Sequence, residues 1–179
     1  MIKRAICLLA VLFSLPAFAS ELNESIQTDY DEHLGALFDH FHRNPELSTV
    51  ETETARRMAL ELSLAGFDVT EGVGGTGVVA MMENGEGPLV MMRADMDGLP
   101  VEEKSGLANA SRAKQKDPIT GNDVFVMHAC GHDVHITSLV GTARHMAAHR
   151  DEWTGTLMLV VQPAEERVLG ARAMRDDEI

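Results

Sequence analysis

The stretch GFDVTEGVGGTGVVAMMENGEGPLVMMRADMDGLP (66–100) decides the class of fold. Gly66 is a fitting helix stop, and Phe67–Thr70 reads as a strand. Gly72–Gly77 is a glycine-rich turn. Val78–Met82 and Leu89–Met96 follow as apolar strands, separated by the turn residues Asn84-Gly85-Glu86-Gly87-Pro88. The glycine run precedes a strand and not a helix. No helix N-terminus stands there to hold a phosphate, so it reads as a turn and not as a nucleotide-binding loop.

Upstream, Leu22, Ile26, Tyr30, Leu34, Leu37, Phe38 and Phe41 recur every three or four residues, which predicts one amphipathic helix over 22–42. Asn44-Pro45 stops it. Ser48 followed by Glu51 has the form of a capping box, opening a helix that runs through Ala55, Met58, Ala59 and Leu62. Downstream, residues 103–123 are polar and predict a long loop or irregular hairpin. Val124–Met127 predicts a short strand, 133–149 a second long helix, and Gly155–Val161 a buried strand ending at Gln162-Pro163. Helices alternating with apolar strands predict an α/β sandwich built on a mixed sheet. No internal linker is visible, so residues 20–179 are expected to form one unit.

Residues 1–19 read as a signal peptide: Lys3 and Arg4, an apolar run from Ala5 to Leu15, then Ala17-Phe18-Ala19 as a cleavage site. The expected destination is export, periplasmic or secreted, with no membrane attachment after cleavage. The formal charge is −13, and losing Lys3 and Arg4 makes it more negative by two. So acidic a chain, with no basic stripe, excludes nucleic acid as a partner. Of the two cysteines only Cys130 would remain, so no internal disulfide is possible despite the oxidising destination.

Three segments put ionisable groups at the ends of apolar strands. In Arg93-Ala94-Asp95-Met96-Asp97-Gly98, two carboxylates two residues apart point to one side of the pleat, at the carboxyl end where α/β proteins place ligands. In His128-Ala129-Cys130-Gly131-His132-Asp133-Val134-His135, a thiolate and an imidazole in Cys-x-His spacing can reach one metal ion. Gly131 allows the tight turn between them, and Asp133 can take the proton on the second nitrogen of a histidine. A cysteine nucleophile activated by His132 is the rival chemistry. In Gln162-Pro163-Ala164-Glu165-Glu166, adjacent carboxylates point apart, so one can bind a metal while the other moves a proton.

The combination resembles the dinuclear metal-dependent amidohydrolases of the aminoacylase and carboxypeptidase group, in the branch of indole-acetyl-amino-acid hydrolases and hippurate hydrolases. The matching stretches are HRNPELSTVETETA (42–55), GFDVTEGVGGTGVVA (66–80), RADMDGLPVEEKSG (93–106), MHACGHDVHITSLVGTA (127–143) and GTLMLVVQPAEE (155–166). The resemblance implies a three-layer α/β/α catalytic domain of which this chain is the N-terminal part. It implies Cys130, His132 and Glu166 as metal ligands, Glu165 as the general base, and Asp97 as the acid that orients a neighbouring ligand. Asp95, Asp133, His128 and His135 would stand behind the ligands. The implied cofactor is a pair of divalent ions, Zn2+ or Mn2+ with Co2+ open, that activates water and polarises the scissile carbonyl of an N-acyl amino acid or small peptide. Relatives are about twice as long and dimerise through a second domain. The expectation is therefore a truncated chain with impaired activity, or a non-catalytic metal-binding or partner-binding remnant. Val168 stands where a glycine is usual after Glu-Glu-Arg, and Ala108-Asn109 where Pro-Tyr is usual.

Overall fold

A computed structural model describes residues 15–177. In chain order the elements are α1 (Leu15–Asp29), a π turn (Tyr30–Leu34), α2 (Gly35–Arg43), α3 (Thr52–Leu64), β1 (Asp68–Val73), β2 (Gly77–Asn84) and β3 (Leu89–Asp95). A small hairpin of β4 (Lys114–Lys116) and β5 (Asp123–Phe125) precedes α4 (His132–Ala148), β6 (Gly155–Gln162) and α5 (Gly170–Asp176). Most of the expected leader lies outside the described residues; from Leu15 onward the backbone is helix. Among the described residues no helix is long and apolar enough to cross a membrane.

The main sheet has the order β1-β2-β6-β3. β1 and β2 pair antiparallel, as do β2 and β6, whereas β3 lies parallel to β6 with Met91 opposite Met158 and Asp95 opposite Gln162. The sheet is mixed, as the alternation of elements predicts. Parallel pairing matters for function, because it ends β3 and β6 on the same edge of the sheet.

Strand periodicity sorts the side chains onto two faces. Val78, Ala80 and Met82 of β2 and Leu157, Leu159 and Val161 of β6 join the main core with Leu37 and Phe41 of α2, Met58 and Leu62 of α3, and Ile136, Leu139 and Val140 of α4. The opposite face carries a much smaller cluster, Val73, Val79, Val160 and Met174. Among the described residues its cover is α5, seated so closely on the turn after β6 that a Cβ on Gly170 would lie 1.6 Å from the Pro163 carbonyl oxygen. The expected third layer is therefore a single short helix in the described residues.

Two local expectations are corrected. The helix over 22–42 is interrupted by the π turn, and only its second half buries the predicted stripe; Leu22, Ile26 and Tyr30 are exposed while Leu34, Leu37 and Phe41 are buried. The capping box does not form. Glu51 is the N-cap position of α3, with no side-chain cap bond, and both Ser48 and Glu51 turn inward to distant partners. The polar segment 103–123 holds the irregular hairpin expected of it, β4 pairing with β5, and the short strand after it ends at Phe125, with Met127 bridged separately to Leu99.

Candidate metal centre

The site lies where the β3 and β6 tips meet the turn into α4. Beyond β3 the chain passes through Met96 to Asp97, and the Met96 N–H donates to the Gln162 carbonyl at the end of β6 (3.1 Å), locking the two tips together. Gly131 adopts φ +79°, the left-handed turn that starts α4 directly over these tips, so that His132 is its first residue.

Asp97 organises what converges there. Its Oδ2 accepts from Ser48 Oγ (2.5 Å) and from the Glu166 N–H (3.1 Å), and its Oδ1 accepts from the Glu165 N–H (3.1 Å). Burial alone would push this carboxyl up. The hydrogen bonds from His132, Ser48 and the two backbone N–H groups outweigh burial and hold it below its ordinary value, so it is ionised. The Asp97 backbone carbonyl lies 2.8 Å from His132 Nδ1. A carbonyl can only accept, so Nδ1 carries a hydrogen, and in the neutral ring Nε2 presents a lone pair.

That Nε2 faces Asp95 Oδ2 at 3.5 Å, Glu165 Oε2 at 3.8 Å and Glu166 Oε1 at 3.9 Å. Two donor groups result, His132 with Glu165 and Glu166, and His132 with Asp95 and His135, each with its ligand atoms within 4.8 Å of one another. In the His132–Glu165–Glu166 group an imidazole nitrogen faces carboxylate oxygens at 3.8 and 3.9 Å with no hydrogen bond between them, an arrangement a divalent cation satisfies. The donor set fits a metal ion. Asp95 is otherwise engaged: its Oδ1 accepts from His135 Nδ1 (2.6 Å) and its Oδ2 from an Arg93 N–H (2.8 Å). Burial raises its pKa, yet the His135 bond with the His132 and Arg93 charges brings it below the ordinary value.

Cys130 is exposed and stands outside both donor groups. It does reach Glu166, whose hydrogen bond is the chief cause of a thiol pKa pushed up to about 11, with burial and the charges of Glu166, Glu165 and Asp95 adding to it. The thiol is a neutral S–H facing carboxylates. A cation among them would reverse that balance, since a coordinating thiol loses its proton.

Asp133 does pair with a histidine, and it is one from outside its own segment. Its Oδ2 pairs with His42 Nδ1 of α2 (2.7 Å), while His42 Nε2 lies 3.5 Å from Glu103 Oε1. The outer contact of His132 is the Asp97 carbonyl instead. His128 is buried with neither ring nitrogen hydrogen-bonded, and burial drives its pKa down to about 4, so it is a neutral ring behind the site. His42, Ser48, Glu51 and Glu103 are the residues of the site's surroundings that sequence reasoning missed. The available signals were the stretches HRNPELSTVETETA, where the capping-box reading absorbed Ser48 and Glu51, and RADMDGLPVEEKSG, which holds Glu103.

Residues 91–179 match the model of peptidase family M20/M25/M40. The chain is 42% identical over 136 residues to IAA-amino acid hydrolase ILR1-like 2 of Arabidopsis thaliana, an alignment covering 76% of this chain and 29% of that protein. It is 41% identical over 137 residues to hippurate hydrolase of Campylobacter jejuni, covering 76% of this chain and 33% of the relative. Among solved structures it is similar to the Bacillus subtilis YXEP protein, described as a dinuclear metal binding peptidase from the M20 family. That match has a TM-score of 0.73 and 33% identity, and covers 84% of this chain and 40% of that one. The chain thus spans about a third of the length of the curated relatives it matches.

Proposed function

The chain belongs to peptidase family M20/M25/M40, and from that premise we propose that it acts in hydrolysis of the amide bond of N-acyl amino acids or small peptides. The observation that carries the reading is the His132 ring. Its Nδ1 is fixed on Asp97 and its free Nε2 is turned toward Glu165 and Glu166. His132 and Glu166 would hold a divalent ion, Zn2+, Mn2+ or Co2+, and Cys130, which reaches Glu166 from outside the donor groups, would join them on losing its proton. When bound, such an ion supplies Lewis acidity to the amide carbonyl and acidity to water.

The protein's own groups divide the remaining work. Asp97 keeps His132 in one tautomer and, through the Glu165 and Glu166 N–H groups, sets the two carboxylates at fixed directions. Glu166 is three-quarters or more buried and points to the imidazole, whereas Glu165 has 40% of its side chain exposed toward solvent. The exposed carboxylate is the one placed to take a proton from an attacking water and hand it to the leaving nitrogen. The test is release of free amino acid from hippurate and other N-acyl amino acids by the metal-loaded chain. Glu165→Gln should cut kcat by roughly 10²–10⁴-fold while the metal stays bound; equal rates would overturn the assignment.

A second reading is metal binding without turnover. Both donor groups share His132, whose single free nitrogen serves one ion, so the described residues provide for one ion and not a pair. Metal stoichiometry near one with no amino acid released would select it. We also propose export, supported by the basic start, the apolar run and Ala17-Phe18-Ala19. Intact mass of the chain recovered from a secreting host should show cleavage after Ala19.

A further inference from the structure

We propose that Glu51 is a positioning residue for the Glu165–Glu166 pair, holding the backbone that aims both carboxylates although its own carboxylate touches neither. The proposal rests on reading that pair as the residues that do the chemistry. Glu51 is fully buried. Its Oε1 accepts from the Ala164 N–H (2.8 Å) and the Thr49 N–H (2.9 Å), and its Oε2 accepts from Thr76 Oγ1 (2.6 Å). All its contacts are donors; no cation pairs with it.

The backbone it grips is unusual. Ala164 has φ +47°, a left-handed conformation that an alanine adopts only when its surroundings impose it. That reversal directly after Pro163 turns the next two N–H groups, those of Glu165 and Glu166, onto the Asp97 carboxylate. Three successive N–H groups, 164 to 166, are therefore held by two buried carboxylates from segments 113 and 68 or more residues away. The segment linking α2 to α3 feeds both grips, because Ser48, three residues before Glu51, donates to Asp97 Oδ2. Remove Glu51 and the φ-strained alanine has nothing to hold its N–H. The turn relaxes, and the directions of both glutamates go with it.

Chemistry separates this role from simple core filling. A glutamine at 51 keeps one oxygen for the Ala164 and Thr49 N–H groups and can donate its amide to Thr76 Oγ1, so it reproduces every bond without the charge. An aspartate keeps the charge but is one methylene too short to reach. Burial against hydrogen bonds from Thr76 and Ala164 raises the Glu51 pKa, consistent with a site that accepts a neutral side chain.

The experiment compares the whole chain with Glu51→Gln, Glu51→Asp and Glu51→Ala, first by amide hydrogen exchange without metal and then by Co2+ titration followed in the visible spectrum. Glu51→Asp and Glu51→Ala should speed exchange about tenfold, the worth of one hydrogen bond, not only at Ala164 but also at Glu165 and Glu166, whose acceptor is Asp97. They should weaken Co2+ binding about 10–100-fold and shift its absorption bands. Glu51→Gln should leave exchange, affinity and spectrum as in the parent chain. If Glu51→Ala does not fold, the Asp and Gln variants still decide. Exchange at Glu165 and Glu166 unchanged in Glu51→Asp, or Glu51→Gln behaving like Glu51→Asp, overturns the proposal. Failure of the parent chain to bind Co2+ would instead overturn the metal reading, while the exchange rates continue to decide on Glu51.

Discussion

The two faces of the one sheet are built to different standards. On the first, alternate residues of β2 and β6 interlock with α2, α3 and α4 in a large continuous core. On the second, among the described residues, the intervening side chains of the same strands meet α5, and Met81 and Met158 are partly buried. The same strands and the same backbone bonds thus yield unequal burial, since stability follows the apolar area a helix layer removes from water and not the ladder itself. The metal-centre candidates belong to the well-covered side: α4 packs on β3 and carries His132 at its first turn. A precise site is placed where its supports cannot shift.

The largest test of that contrast uses neighbours on β6. Leu159, fully buried in the main core, should lose about 2–5 kcal/mol of stability on replacement by alanine. Val160, next in sequence but on the other face, should lose roughly 1.5 kcal/mol for its two methyl groups. Urea unfolding of both variants measures the difference, and equal losses would break the comparison.

Next in size is a gain at the edge of the second face. Val168 has φ +55° and is 86% exposed, so a β-branched residue sits in left-handed backbone with no packing to compensate. Its N–H donates to the Glu165 carbonyl (2.7 Å), which closes the turn after the glutamate pair. Val168→Gly should stabilise by about 1 kcal/mol, read as a higher urea midpoint at an unchanged slope.

Much of this was legible in the chain, and the reason is local pattern. Apolar runs bounded by turn residues located β2, β3 and β6, and residue types at strand ends singled out Asp95, Asp97, His132, Glu165 and Glu166. Val168 was visible as a departure from the glycine usual there. What local pattern could not show were bonds between residues far apart. Ser48 donates to Asp97 49 positions away, and Glu51 receives Ala164 113 positions away. A capping box and a pair of inward tertiary contacts use the same residue types at the same spacing, and only the packing of α3 against β1 and β2 selects between them. His42 and Glu103 stayed hidden for the same reason: His42 meets Asp133 only through how α2 lies on α4, and Glu103 faces the other nitrogen of that ring from a distant loop. The thin second layer was equally unreadable, because β6 is apolar on both faces whatever covers it.

Smaller in effect is the pH dependence that Glu51 adds where the well-covered core meets the site. Burial raises its pKa above the ordinary 4.5, so the protonated form is the one folding favours. The sign follows from linkage: its contribution is complete below 4.5 and is lost as pH rises through the raised value. Relative to Glu51→Gln, the parent chain should therefore lose melting temperature as pH climbs from about 4.5 and level off once Glu51 is ionised. A constant offset across that range would mean its pKa is the same folded and unfolded.

The smallest expected change in stability concerns the β3 edge, where the contrast between faces gives way to a contrast along a single strand. Its last residues, Ala94 and Asp95, are buried at the site, while Leu89, Val90 and Met91 are all more than half exposed. Among the described residues β3 is the terminal strand of the sheet, and its outer backbone groups have no ladder partner there. An apolar edge with open hydrogen-bonding groups favours association, and lysine is the residue by which natural edges prevent it. Val90→Lys should alter folding stability by no more than about 0.5 kcal/mol, because an exposed side chain leaves little burial to lose. The same change should lower the apparent mass at high concentration in sedimentation, with His132 and the glutamates untouched. A drop in stability as large as that of Leu159→Ala would show that this half of β3 is supported in solution as firmly as the half that ends in the site.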